Sequence, residues 1–214
     1  PVLAKMSKLT GDQRYNEKAW EMYEWSRNTL AGGLYNEKEG LWWRDKDFVP
    51  PYKEPNGKNC YWSRGNGWVV AALVKVLQEL PEDAPHRDVY IKDLKAMCEA
   101  AAKCQRTDGF WNVSLHDESN FGGKETTGTA LFVYGMAWGI NNGILDREKY
   151  FPVVTKAWNA IVNEAIHPNG YIGYVQGTGK EPKDGQPVAY DSKPDFDDYG
   201  TGCVLLAGSE VYKL

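Results

Sequence analysis

Apolar positions along this chain fall into two helical patterns that alternate. Residues 69–80, 129–140 and 203–207 carry few charges and are apolar on most sides, which predicts helices buried all round. Between them lie amphipathic stretches. Ile91, Leu94, Cys98 and Ala101 recur at spacings of three and four, as do Val154, Trp158, Ile161 and Ala165. Residues 12–30 form another charged helix, with Asp12 as its cap after Gly11 closes the helical pattern of residues 2–9. Alternating buried and half-exposed helices predict an inner ring wrapped by an outer ring, an all-α toroid.

The pattern repeats as a unit. A polar, Gly-centred join runs into an apolar helix three times: Trp62-Ser63-Arg64-Gly65-Asn66-Gly67-Trp68, Glu125-Thr126-Thr127-Gly128-Thr129, and Asp197-Asp198-Tyr199-Gly200-Thr201-Gly202. Aligned on Gly65, Gly128 and Gly200, the steps are 63 and 72 residues, right for a helix pair plus a long loop. A second marker keeps phase with the first. Glu39-Gly40-Leu41-Trp42-Trp43, Asp108-Gly109-Phe110-Trp111 and Asn169-Gly170-Tyr171-Ile172-Gly173 each read as a turn into an extended aromatic segment.

Counting the patterns gives about seven helices with the first one cut short, whereas a closed (α/α)6 ring needs about twelve. At 214 residues the chain suffices for one domain core but not for a closed ring of such units. Pro1-Val2-Leu3-Ala4-Lys5-Met6 begins already in a helical pattern, without initiator Met or signal peptide. The expectation is a single domain over residues 1–214, the C-terminal part of an (α/α)6 barrel.

Nine Trp and thirteen Tyr make a heavy aromatic load, much of it in loops, which suits sugar rings: flat C–H faces stack on aromatics. Trp20, Trp25, Trp138 and Trp158 fall in helical patterns and are expected in the core, whereas Trp62, Trp68 and Trp111 stand in or beside loops. A net charge of −4 and a pI near 5.5 argue against a nucleic-acid partner. No apolar run approaches the ~20 residues of a membrane span. Cys60, Cys98, Cys104 and Cys203 lack metal-ligand spacing, and His86, His116 and His167 are dispersed; no metal and no cofactor are expected. Cys98 and Cys203 read as small core residues.

In such a toroid the inner helices direct their N-terminal ends into one mouth, where donors and dipoles converge. Long connections leading into every join favour a functional mouth. Arg64 is the leading candidate: a guanidinium at the positive end of a helix dipole is unfavourable unless it answers an anion, and its planar fork suits a carboxylate. The structural alternative is an ion pair with Asp45 or Asp47. Arg44 divides in the same way between substrate contact and local pairing. Glu125, Asp197 and Asp198 read as helix caps or as acid/base groups. His116 and His167 flank turns and read as solvated.

The joins resemble a known family. Trp62-Ser63-Arg64-Gly65-Asn66-Gly67-Trp68 followed by Ala71-Ala72-Leu73-Val74 is similar to the W-x-R-G-x-G-W helix start of unsaturated glucuronyl and rhamnogalacturonyl hydrolases, glycoside hydrolase families 88 and 105. Glu125-Thr126-Thr127-Gly128-Thr129-Ala130-Leu131-Phe132, with Gly139-Ile140-Asn141-Asn142-Gly143 beyond it, matches the E-T-S/T-G-T-A segment of family 105. Gly200-Thr201-Gly202 and Leu205-Leu206-Ala207 fit its C-terminal end, so the resemblance covers essentially the whole chain.

The resemblance implies an (α/α)6 barrel that acts on the unsaturated uronic acid left at a chain end by polysaccharide lyases. An Asp protonates C4 of the C4=C5 enol ether, water adds at C5, and the hemiketal collapses to release the sugar. Such an acid needs a raised pKa. By alignment it lies a few residues upstream of Pro1, so the chain alone is expected to be inactive. Many relatives carry a His near Arg44. Arg64 would then meet the substrate carboxylate, Trp62 and Trp68 would line the sugar site with Arg44 nearby, and Asn66 and Thr127 would pair with hydroxyls. The partner implied is an unsaturated uronic-acid oligosaccharide, in the periplasm or cytoplasm of a bacterium. Two other classes remain: an α/α-barrel glycosidase using Glu125 and Asp198, and a non-catalytic carbohydrate-binding relative. An open half-ring exposes apolar helix faces and is expected to self-associate.

Overall fold

Gly11 closes the first helix as the sequence predicts. It takes a left-handed conformation (φ 74°), and its N–H reaches back to the Ser7 carbonyl. The computed structural model of the protein describes residues 1–192 and 199–214, and seven α-helices lie among them. They are α1 (Val2–Thr10), α2 (Arg14–Glu24), α3 (Ser63–Leu77), α4 (Arg87–Lys103), α5 (Thr126–Asn141), α6 (Arg147–Ala160) and α7 (Tyr199–Val211). Single π-type turns, Trp25–Thr29 and Ile161–Ala165, extend α2 and α6. A short antiparallel hairpin pairs β1 (Tyr35–Asn36) with β2 (Leu41–Trp42), Tyr35 opposite Trp42.

The two layers follow from composition. The charge-poor helices α3, α5 and α7 pack side by side, with α5 between the other two and buried from Thr126 to Ile140. The charged helices α2, α4 and α6 lie behind α1, α3 and α5 respectively. Small residues let the inner helices approach. A Cβ on Gly67 of α3 would sit 2.9 Å from Leu131 Cβ of α5, and one on Gly135 of α5 would overlap Val70 Cγ1 of α3. In the outer layer Asp93, fully buried, accepts two bonds from Arg27 (2.7 and 3.0 Å) and one from the Tyr23 hydroxyl (2.7 Å).

The repeated turn marker has one structural meaning. Gly40, Gly109 and Gly170 all adopt positive φ (68°, 97° and 85°), which favours glycine. Two of them also press on an outer helix. A side chain on Gly40 would meet the Ala96 carbonyl at 2.8 Å, and one on Gly109 the Lys156 carbonyl at 2.7 Å. The segments that follow are extended only in part: they make the β1–β2 pair and isolated bridges at Trp111–Glu125 and Ile166–Ile172.

Several boundaries and burials differ from expectation. Helix α3 starts at Ser63 rather than 69, so Arg64, Asn66 and Trp68 lie inside its first two turns, and it ends at Leu77. Helices α5 and α7 likewise begin earlier, because the polar joins supply the first turn rather than the loop before it. Asp12 stands one residue outside the cap position and instead receives the Arg14 N–H (3.0 Å) and guanidinium. Trp25, the first residue of the π-type turn that follows α2, is not core but 50% exposed. Trp111, in a loop, is fully buried, with its indole N–H on the Ala101 carbonyl (2.7 Å). Cys60, Cys98 and Cys203 are buried free thiols. No helix among the described residues is long and apolar enough to cross a membrane.

Candidate functional site

The N-termini of α3, α5 and α7 converge because the long connections tie them together. Ser63 N–H donates to the Val113 carbonyl (2.8 Å) in the loop before α5, and Thr126 N–H donates to the Tyr174 carbonyl (2.8 Å) in the loop before α7. Glu125 closes α5 as a cap. Its buried carboxylate accepts the N–H groups of Thr127 (3.1 Å) and Gly128 (2.6 Å), the Thr127 hydroxyl (2.5 Å) and the Gln176 N–H (3.3 Å). Three of these donors meet one carboxylate oxygen and one meets the other, and Glu125 is fully buried, so the structure shows it acting as the helix cap. Its proposed partner Asp198, with Asp197, lies outside the described residues.

Arg64 projects from the first turn of α3 into this junction and is only 4% exposed. Its guanidinium donates to the Gln176 carbonyl (2.6 Å), the Tyr199 hydroxyl (2.8 Å) and the Gly177 carbonyl (3.1 Å). Its carbon lies 4.7 Å from the Trp62 ring centroid, a cation–π contact. Neither Asp45 nor Asp47 is its partner, and no carboxylate among the described residues pairs with it. Three neutral acceptors thus hold the guanidinium, with no carboxylate at ion-pair distance among the described residues. Burial pushes the Tyr199 phenol up to about 12, against the opposing pull of Arg64, so it remains a hydroxyl donor and acceptor.

Beside this junction a cleft of about 170 Å³ opens between the hairpin and α3. Trp42, Trp43, Trp62, Arg44 and Asn66 line it. The Arg44 guanidinium is partly exposed and reaches Asp45 at only 3.5 Å. The buried indole nitrogens of Trp42 and Trp43 have no hydrogen-bond partner among the described residues. Asn66 builds the wall rather than facing a ligand. Its carbonyl accepts from Trp42 N–H (2.8 Å), and its amide donates to the carbonyls of Trp42 (3.0 Å) and Trp62 (3.1 Å).

The six residues singled out from the sequence therefore divide. Arg44, Trp62 and Asn66 share the cleft, and Arg64 sits behind Trp62. Thr127 is fully buried with its hydroxyl on Glu125. Trp68, 45% exposed, faces a neighbouring apolar groove of about 510 Å³ together with Val2, Leu3, Met22 and Val69. His116 and His167 are half-buried rather than solvated: His116 meets the Tyr61 ring edge-on, and His167 stacks on Tyr190 at 3.6 Å. Gln176, Tyr199, Trp42 and Trp43 carry the site without having been identified as site residues. Tyr199 stands in the third join and Trp42 and Trp43 in the first turn marker. Gln176 has no local signal, because its partners Trp62 and Arg64 lie more than 110 residues away.

Comparison with known proteins identifies the family. The profile of Glycosyl Hydrolase Family 88 matches residues 1–214. An unsaturated 3S-rhamnoglycuronyl hydrolase of Formosa agariphila is 38% identical over all of this chain and 55% of its own length. A solved family 88 glycosyl hydrolase from Bacteroides vulgatus superposes with a TM-score of 0.91 at 40% identity, covering 100% of this chain and 60% of that one. A possible family 105 member from Salmonella enterica superposes at 0.73 with 28% identity, covering 98% of this chain and 53% of that one. The chain spans about half the length of the curated relatives it matches. Their fold is the six-hairpin toroid that the alternating inner and outer helices indicate. By profile and relatives, and consistently with its helix joins, the chain belongs to Glycosyl Hydrolase Family 88.

Proposed function

We propose that this chain forms the sugar-holding wall of a hydrolase that removes unsaturated uronyl residues from lyase-generated oligosaccharides by hydrating their C4=C5 enol ether. The observation that carries the reading is the aromatic cleft, which joins a partly exposed cation, Arg44, to three indoles, two of whose buried N–H groups have no partner among the described residues. Indole faces suit the C–H faces of a pyranose, indole N–H groups suit its hydroxyls, and a guanidinium suits its carboxylate. Arg64, lacking a carboxylate partner among the described residues, adds positive potential behind Trp62. Trp68 borders the site. Asn66 and Thr127 act by holding its walls, since their hydrogen-bonding groups are engaged within the protein.

The proton donor in this reading is an Asp upstream of Pro1, with water adding at C5 after C4 is protonated. That two relatives are unsaturated 3S-rhamnoglycuronyl hydrolases supports rhamnose as the neighbouring sugar. The isolated chain self-associates through its exposed apolar residues, among them Val2, Trp68 and Leu205.

The test compares this chain with a version extended upstream through the missing Asp. Both receive unsaturated rhamnogalacturonan disaccharide, and loss of the enol-ether ultraviolet absorbance is followed. Activity confined to the longer version, weakened at least ~10-fold in kcat/KM by Arg44→Gln, is the expected result. Equal activity of the short chain overturns the upstream acid, and activity in neither overturns this substrate and favours another uronyl oligosaccharide or the non-catalytic reading.

A further inference from the structure

One residue outside the cleft fixes the ring that lines it. Gln176 is fully buried, and each of its polar groups has a partner. Its side-chain oxygen accepts the Trp62 indole N–H at 2.8 Å. Its side-chain nitrogen donates to the carbonyls of Pro182 (3.0 Å) and Asp184 (2.6 Å). The backbone N–H goes to Glu125, and the backbone carbonyl receives both Arg64 and the Tyr199 hydroxyl. An indole N–H can only donate and the two loop carbonyls can only accept, so the amide has a single orientation that satisfies all three.

The residue type is as specific as the geometry. One acceptor and two donors on a side chain of this length are what glutamine provides. Glutamate cannot donate when ionised, and methionine has the length without the polarity. Through the one amide, Trp62 of the α3 join is tied to residues 182–184, while the adjoining carbonyl fixes Arg64 and Tyr199. With the Glu125 bond, segments around residues 64, 125 and 176 are held at one point.

We infer that Gln176 is a positioning residue of the sugar cleft: it sets the orientation of the Trp62 indole and, through its carbonyl, the place of the Arg64 guanidinium. The inference rests on reading the cleft as the sugar site, but its structural half has a readout of its own. The Trp62 indole N–H is shielded in a hydrogen bond to a buried amide, so it exchanges slowly with solvent. Removing the acceptor frees that proton while leaving the other indoles as they were.

The experiment uses the chain labelled with ¹⁵N, the Trp62 indole signal being assigned with Trp62→Phe. In Gln176→Met the exchange of that one indole rises about 10-fold or more, as loss of ~1.4 kcal/mol of hydrogen bonding requires. In Gln176→Glu a carboxylate keeps an acceptor for Trp62 but faces the Pro182 and Asp184 carbonyls, so this variant unfolds at a lower urea midpoint than Gln176→Met. Binding of an unsaturated uronyl disaccharide, followed by calorimetry, weakens in Gln176→Met. Unchanged exchange at Trp62 in Gln176→Met, or an equal rise at all indoles, overturns the inference. Wild-type protein that binds no disaccharide yet shows the selective exchange effect overturns the sugar reading and supports the positioning of Trp62 by Gln176.

Discussion

Asn66 grips Trp42 on both sides of its backbone, accepting its N–H at 2.8 Å and donating to its carbonyl at 3.0 Å. The side-chain amide behaves as an extra strand beside β2, so the first turn of α3 fixes where the hairpin presents Trp42, Trp43 and Arg44. Asn66→Asp keeps the acceptor but directs a carboxylate at two carbonyl oxygens, those of Trp42 and Trp62. We expect it to cost about 2–3 kcal/mol, more than Asn66→Ala, because an unpaired buried charge is worse than a lost bond. Urea midpoints at constant m-value measure the difference, and equal midpoints for the two variants would refute the clamp.

The contact between α3 and α5 depends on a missing side chain. A Cβ at Gly135 would overlap Val70 Cγ1, and both positions are buried. Gly135→Ala should therefore destabilise by about 1–3 kcal/mol despite the better helix propensity of alanine. Val70→Ala opens the space again, so the double variant should be more stable than the sum of the singles predicts. A double-mutant cycle by chemical denaturation decides this, and strict additivity would rule out the contact as the cause.

His116 gives the fold an acid-sensitive component. Desolvation lowers its pKa below the ordinary 6.5, outweighing the raising influence of Glu39 and Glu54 and reinforced by Lys58. With the folded value depressed, the unfolded chain takes up the proton first as pH falls. Stability from this group is complete above 6.5 and is lost as pH falls through the folded value. Denaturation midpoints measured from pH 8 to pH 5 should fall less steeply for His116→Gln than for the parent chain. Parallel curves would remove His116 as the source.

Trp68 and Val2, 45% and 75% exposed, give the groove between α1, α2 and α3 an apolar rim. The isolated chain should therefore associate with rising concentration in light scattering. Trp68→Gln combined with Val2→Gln should shift it toward monomer, with little change in the midpoint of thermal unfolding. A sharply monomeric parent chain at high concentration would contradict the expectation.

The layering of this fold was legible because it follows from local chemistry. Helices without charge, such as 129–140, have no face that can meet water, and those with charges at regular spacing have one. The three turn glycines were equally plain, since Gly40, Gly109 and Gly170 occupy backbone conformations that disfavour side chains. The helix starts were less so. Ser63, Thr126 and Tyr199 begin helices that polarity alone assigns to loops, because their partners are loop carbonyls and caps rather than neighbours in sequence.

Sequence by itself determined which residues are polar or aromatic at the joins, and with that the family, the two layers and the mouth where the joins converge. Tertiary structure decided what each of those side chains does. Arg64 answers three neutral acceptors, Asn66 and Thr127 hold walls, and Gln176, unmarked locally, becomes the point where three segments meet. Periodicity reports the environment of a helix face, which is set within a few residues. The partner of a buried polar group is set by geometry between segments more than 100 residues apart, and no local pattern carries that information.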